Sequence, residues 1–139
     1  MIAHFITLLT AAAYSAIMVA AEPIVKTLTV CGGYNYSYTA VPARDGQITF
    51  LLLHGFPSSS YDWRHTISDL TDAGYGVIAP DILGYGETSK PAEVEEYAQE
   101  KLSNQVAEIL THENIPHVVG VGHDWYVSSA GSMDLIALT

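Results

Sequence analysis

Apolar and polar positions change period several times along the chain, and the changes mark its elements. The runs "LTVC" and "YNYSYTAV" are rich in β-formers and flank Gly32 and Gly33, which predicts a hairpin closed by a glycine turn. Ile48 to His54, "ITFLLLH", is continuously apolar, as a strand covered on both faces must be. In "SYDWRHTISDLTDAG", Trp63, Ile67 and Leu70 recur at helical spacing, and Gly74 is placed to cap the helix C-terminus. Tyr75 to Asp81, "YGVIAPD", is the next strand. "VEEYAQEKLSNQVAEILTHENI" then predicts one long helix whose buried stripe is Val94, Tyr97, Leu102, Val106 and Ile109 or Leu110. "HVVGVGH" closes the series with a further strand. A hairpin followed by alternating strands and helices predicts an α/β sandwich with a mainly parallel sheet.

Composition sets the scale. With 139 residues, 49% of them apolar, the chain can bury one modest core, and one domain or less is expected. Five basic against 15 acidic side chains leave a net charge of -10, which repels nucleic acid and anionic membrane surfaces. Residues 1–21, "MIAHFITLLTAAAYSAIMVAA", carry no formal charge and end in small residues before Glu22, so they read as a secretory signal. The alternative is a membrane anchor through residues 5–21, interrupted by Thr7, Thr10, Tyr14 and Ser15. Residues 22–139 then form a partial core domain in an exported protein.

Two side chains take on meaning if the chain is exported. Cys31 is the single cysteine, so it has no internal disulfide partner and reads as a small buried hydrophobe. Asn35 opens "NYS", the pattern that accepts an N-linked glycan. The six histidines show no metal-ligand spacing, so neither a metal nor another cofactor is expected.

In open α/β sheets, chemistry gathers beyond the carboxyl ends of the strands. Three such ends carry marked residues here: His54, Gly55, Phe56 and Pro57 after "ITFLLL"; Asp81 with "ILGYGETSKP" after "YGVIAP"; and Asp124 after "HVVGVGH". Together "HGFPSSSYDWRHTISDLTDAGYGVIAPDILGYGETSKP" and "GVGHDW" resemble the α/β-hydrolase superfamily, and within it the epoxide hydrolase branch, from about Val30 to Trp125. The resemblance implies an α/β-hydrolase fold, truncated after the nucleophile elbow.

It also implies a chemistry. The elbow holds a nucleophile in a strained strand-to-helix turn flanked by small residues; Gly122 takes the small position and Asp124 stands where esterases have serine. An aspartate can open an epoxide or expel a halide and leave an ester that water cleaves, whereas serine would leave an inert ether. In the family, two tyrosines of a cap domain polarise the epoxide, and a histidine and acid pair activates the water. Oxyanion stabilisation maps to the backbone N–H groups of Phe56 and Trp125, with Gly55 allowing close approach and Pro57 fixing its φ. His54 and His123 read as organisers of their loops, not as bases. The substrate implied is a small-molecule epoxide. A haloalkane dehalogenase, which also uses an aspartate followed by tryptophan, is the alternative.

In the family, cap, acid and base follow the elbow, whereas no histidine follows Asp124 here, Asp134 lies too close behind it, and Tyr126 takes a position that wants a small residue. The chain is therefore expected to be inactive alone, with a sheet ending in a bare edge at the Asp124 strand. The second class of reading is a non-catalytic fragment from a degenerate gene or a retained intron. Because Trp125-Tyr126-Val127-Ser128 can be encoded by a string that opens like a splice donor, residues 126–139 are expected to be translated intron. Oligomeric state is not legible.

Overall fold

The computed structural model describes residues 22–124 and the backbone of residues 136–137. The signal or anchor segment 1–21, Trp125, Tyr126 and Asp134 lie outside the described residues. Among those that are described, no helix is long and apolar enough to cross a membrane.

The glycine pair does close a hairpin. β1 (Ile24–Val30) and β2 (Tyr34–Val41) pair antiparallel from Ile24 opposite Ala40 to Val30 opposite Tyr34. Between them Gly32 and Gly33 adopt φ 82 and 77, and a Cβ on Gly32 would stand 2.7 Å from the Tyr34 ring. That tight turn corrects the reading of Cys31. Val30 takes the last inward position, and Cys31 begins the turn and is exposed. Its backbone N–H donates to Glu108 Oε2 at 2.9 Å, and hydrogen bonding to Glu108, ahead of a smaller burial effect, pushes the thiol pKa up.

The remaining strands are β3 (Thr49–Leu53), β4 (Gly76–Pro80), β5 (Val119–Gly122) and β6 (Ile136–Ala137). They complete a mixed sheet in the order β1-β2-β4-β3-β5-β6, with β4, β3, β5 and β6 mutually parallel. The expected bare edge at β5 is therefore covered: Ile136 pairs with Val119 and Ala137 with Gly120, giving ladder partners to backbone groups that would otherwise be open.

Strand alternation sorts the core into two faces. Tyr36, Tyr38, Leu51, Leu53 and Ile78 pack with Leu102, Val106 and Ile109 of α2 (Gln99–His112). On the opposite face, Val41, Leu52, Val77 and Ala79 meet Ile67 of α1 (Arg64–Asp72), with Trp63 and Leu70 partly buried beside them. This is a three-layer α/β/α arrangement. Polar clamps fix both helices. Arg44 Nη2 donates to the carbonyls of Thr71 and Asp72 at the end of α1, at 2.8 and 2.7 Å, and Gly74 follows the cap at φ 93. At the end of α2, Glu113 accepts from Lys26 Nζ at 2.7 Å and from the Tyr38 hydroxyl at 2.6 Å.

The long helix expected from Val94 onward is broken. Val94–Tyr97 forms a 3₁₀ turn, Ala98 is extended with ψ 133, and the α-helix begins at Gln99. The Tyr97 hydroxyl donates to the Pro91 carbonyl at 2.8 Å, and its ring packs over Gly84. Anchoring Tyr97 on the preceding loop resets the helical phase, so Val94 leaves the stripe and is 79% exposed, while Ile109 is fully buried and Leu110 only partly.

These positions separate experimentally. Leu52→Ala should lower the urea unfolding free energy by about 2–5 kcal/mol through a cavity in the α1 face, whereas Val94→Ala should stay within about 0.5 kcal/mol of wild type. Equal losses would contradict the break at Ala98.

Candidate active site

The site is built by strand register. β3 and β5 run parallel with Leu53 opposite Gly122, and the His123 N–H extends the ladder by donating to the Leu53 carbonyl at 3.0 Å. The two chains therefore leave the sheet at the same end, one as His54-Gly55-Phe56-Pro57 and the other as His123-Asp124. Asp124 follows the strand at φ 61, a left-handed conformation that costs a non-glycine residue about 1–3 kcal/mol.

Gly55 is required by this meeting. A Cβ there would stand 2.6 Å from Asp124 Cβ and 2.9 Å from His123 Nδ1. With no side chain at Gly55, the next residue can present its backbone, and the Phe56 N–H donates to Asp124 Oδ2 at 3.2 Å. Asp124 itself is exposed, as is Phe56, which is 64% accessible. Pro57 follows through a cis peptide bond. Gly122 is the last residue of β5, and His123 is exposed beside Asp124.

His54 organises the loop from beneath. Only 1% exposed, it accepts the Ile82 N–H on Nε2 at 3.0 Å, and its Nδ1 lies 3.0 Å from the Gly55 carbonyl. A nitrogen that accepts from an N–H holds no proton, so the ring is the neutral tautomer with its proton on Nδ1 donated to Gly55. Tyr85 packs edge-on against the His54 ring at 5.3 Å and against Phe56 at 6.5 Å.

Asp81 ties the third loop to the other two. One carboxylate oxygen accepts the Ser60 N–H at 2.8 Å, the other the Glu87 N–H at 3.1 Å. Its own N–H donates to the Ser37 carbonyl at 2.9 Å, and its carbonyl accepts from the Thr88 hydroxyl at 2.6 Å. Gly86, at φ 48, leaves room for the carboxylate, which a side chain at that position would overlap. Burial pushes the Asp81 carboxyl pKa up, but hydrogen bonds from Ser60 and then Glu87 outweigh it and hold the pKa below the ordinary value. Ser60, Thr88 and Tyr85 are the contributors that sequence reasoning did not single out; the hydroxyl-rich "SSS" and "ETS" beside the marked glycines were the available signal.

Among the described residues, no three His, Cys, Asp or Glu side chains are grouped to hold a metal ion. Trp125 lies outside the described residues; of the two backbone N–H groups expected to serve an oxyanion, that of Phe56 is described, and it donates to Asp124. What the arrangement offers chemically is a carboxylate on a strained elbow, held by a backbone donor that is itself fixed by buried polar groups.

The sequence profile of the alpha/beta hydrolase fold matches residues 48–125, more than half of the chain, and the chain belongs to that family. Rat bifunctional epoxide hydrolase 2 is 47% identical over 74 residues, covering 53% of this chain and 13% of the relative. Epoxide hydrolase A of Mycobacterium tuberculosis is 44% identical over 80 residues, covering 58% and 25%. Among solved structures, epoxide hydrolase A from Mycobacterium thermoresistibile superposes with a TM-score of 0.71 at 32% identity, covering 78% of this chain and 34% of that one. The chain thus spans about a third or less of the length of these relatives. These relatives and this solved structure are epoxide hydrolases.

Because the Asp81 pKa is lowered on folding, its contribution to stability is complete above the unfolded value of about 3.9 and is lost as pH falls through the folded value. Asp81→Asn replaces an acceptor by a donor facing an N–H and should cost about 1–3 kcal/mol at neutral pH. The gap to wild type should narrow only as pH drops below about 4. A gap that stays constant down to strongly acidic pH would show that the carboxylate charge does not hold these loops.

Proposed function

We propose that Asp124 is the nucleophile of an epoxide-opening hydrolase. The observation that carries this reading is the hydrogen bond of 3.2 Å from the Phe56 N–H to Asp124 Oδ2, made by an aspartate at φ 61. It divides the labour between the carboxylate oxygens. Oδ1 attacks an epoxide carbon, the ring C–O bond breaks, and the departing oxygen takes a proton from an acid. Oδ2 becomes the ester carbonyl oxygen. When water adds to that ester, the negative charge develops on Oδ2, where the Phe56 N–H already points, and the Trp125 N–H is the second donor. Collapse of the tetrahedral species releases the diol and regenerates the carboxylate. His54, Gly55, Pro57, Gly122 and His123 organise the two loops.

The relatives above, epoxide hydrolases of a mammal and a mycobacterium, favour epoxides over haloalkanes as the substrate. Turnover needs a base for the ester step. All six histidines, His4, His54, His65, His112, His117 and His123, precede Asp124, and the buried His54 has both ring nitrogens engaged. The 139-residue polypeptide alone is accordingly proposed to lack the second half-reaction.

Incubation of this polypeptide with styrene oxide should form diol no faster than buffer does, while peptide mass spectrometry finds a slow covalent adduct on Asp124 that Asp124→Ala removes. Labelling that ignores this substitution would overturn the nucleophile assignment. Diol formation well above background, abolished by Asp124→Ala, would overturn the need for a further base.

A further inference from the structure

The open face of the β1–β2 hairpin lies outside the functional reading. Tyr36 and Tyr38 of β2 turn toward α2, so Asn35 and Ser37 turn the other way, together with their cross-strand partners Thr29 and Thr27 and the neighbouring Val25. The buried side of α1 packs on Val41, Leu52, Val77 and Ala79 and does not reach β1. Val25 is consequently 71% exposed, and Thr27, Thr29 and Asn35 are exposed beside it. The β1 side of this face, with Asn35, is uncovered sheet surface along an edge strand, a combination that invites association with other chains unless something shields it, while Ser37 beside it is buried.

Asn35 stands at the turn end of that surface, opposite Thr29, as the first residue of "NYS", the single N-x-[ST] pattern of the chain, since Asn104 is followed by Gln105-Val106 and Asn114 by Ile115-Pro116. Its side-chain amide is already oriented. Oδ1 accepts the Thr29 hydroxyl at 2.7 Å, and Nδ2 has no partner among the described residues. A substituent on Nδ2 would leave the Thr29 hydrogen bond intact, because the amide oxygen remains an acceptor.

We propose that Asn35 carries an N-linked glycan that shields the open face of this hairpin. The proposal is independent of the hydrolase chemistry and rests on the reading of residues 1–21 as a secretory signal. In the transfer step, Nδ2 attacks the anomeric carbon of an oligosaccharide carried on a lipid diphosphate. The sugar C–O bond breaks, an N–C bond forms, the lipid diphosphate leaves with the bonding electrons, and one Nδ2 proton is lost to a base of the transferase. The structure also fixes when this occurs. Ser37, whose hydroxyl completes the acceptor pattern, is only 7% exposed, with its N–H bound to Thr88 Oγ1 at 2.9 Å and its carbonyl bound by the Asp81 N–H. Asp81 and Thr88 follow much later in the chain, so the site is open during synthesis and closes when their loop docks.

The test is expression of the full chain, residues 1–21 included, in yeast or animal cells. The total-cell protein is then run on a gel before and after a glycosidase that releases glycans from asparagine amides. The expected result is a shift of one glycan that collapses on digestion, is absent from Asn35→Gln and Ser37→Ala, and persists in Ser37→Thr. This readout does not depend on whether a variant folds. Mobility unchanged by the glycosidase in the wild-type chain, or a glycosidase-sensitive shift that survives Asn35→Gln, would overturn the proposal.

Discussion

Everything at the candidate site depends on the parallel register that places Leu53 opposite Gly122 and lets the His123 N–H reach the Leu53 carbonyl. Parallel strands finish at the same end of a sheet, so their following loops can meet only if the register brings the two ends level. A slip of one residue would exchange the faces of β5 and carry Asp124 away from the Phe56 N–H. The buried leucines make such a slip costly. Leu51 and Leu53 are committed to the α2 face and Leu52 to the α1 face, so the core on both sides of β3 holds the register that the chemistry needs.

From that constraint follows a division between strain and support. Asp124 sits at positive φ, and Gly55 admits it with no space to spare. The support is polar and buried: His54 joins Ile82 to Gly55, and Asp81 joins Ser60 to Glu87 while its backbone joins Ser37 to Thr88. Buried polar groups stabilise a loop only when each finds its partner, and those of His54 and Asp81 do. The result is a backbone donor, the Phe56 N–H, held against the Asp124 carboxylate; under the proposed chemistry it is aimed before any substrate arrives.

Much of this was legible in the residues, for reasons that differ by element. A run such as "TFLLL" can only be a strand buried on both faces, and "HGFP" and "GHDW" announce strand ends because glycine, proline and polar side chains interrupt apolar runs there. The burial and internal hydrogen bonds of His54 and Asp81 follow from polar side chains placed where burial is unavoidable. What was not legible depended on contacts distant in sequence. Periodicity carried the helix through Ala98 because nothing local shows that the Tyr97 hydroxyl is held by Pro91. Cys31 was assigned to the interior by residue type, although the turn geometry puts it outside. The pairing of Ile136–Ala137 with β5 rests on two residues, too few for any pattern to reveal.

The most direct measurement is nuclear magnetic resonance of the chain labelled with ¹⁵N at its three phenylalanines, Phe5, Phe50 and Phe56. The Phe56 amide resonance should move in Asp124→Ala, because that substitution removes its hydrogen-bond acceptor, the Asp124 carboxylate. The Phe50 amide, inside the β3 ladder, should stay still. A Phe56 amide unmoved by Asp124→Ala would contradict the meeting of the loops after β3 and β5 on which this account of the protein rests.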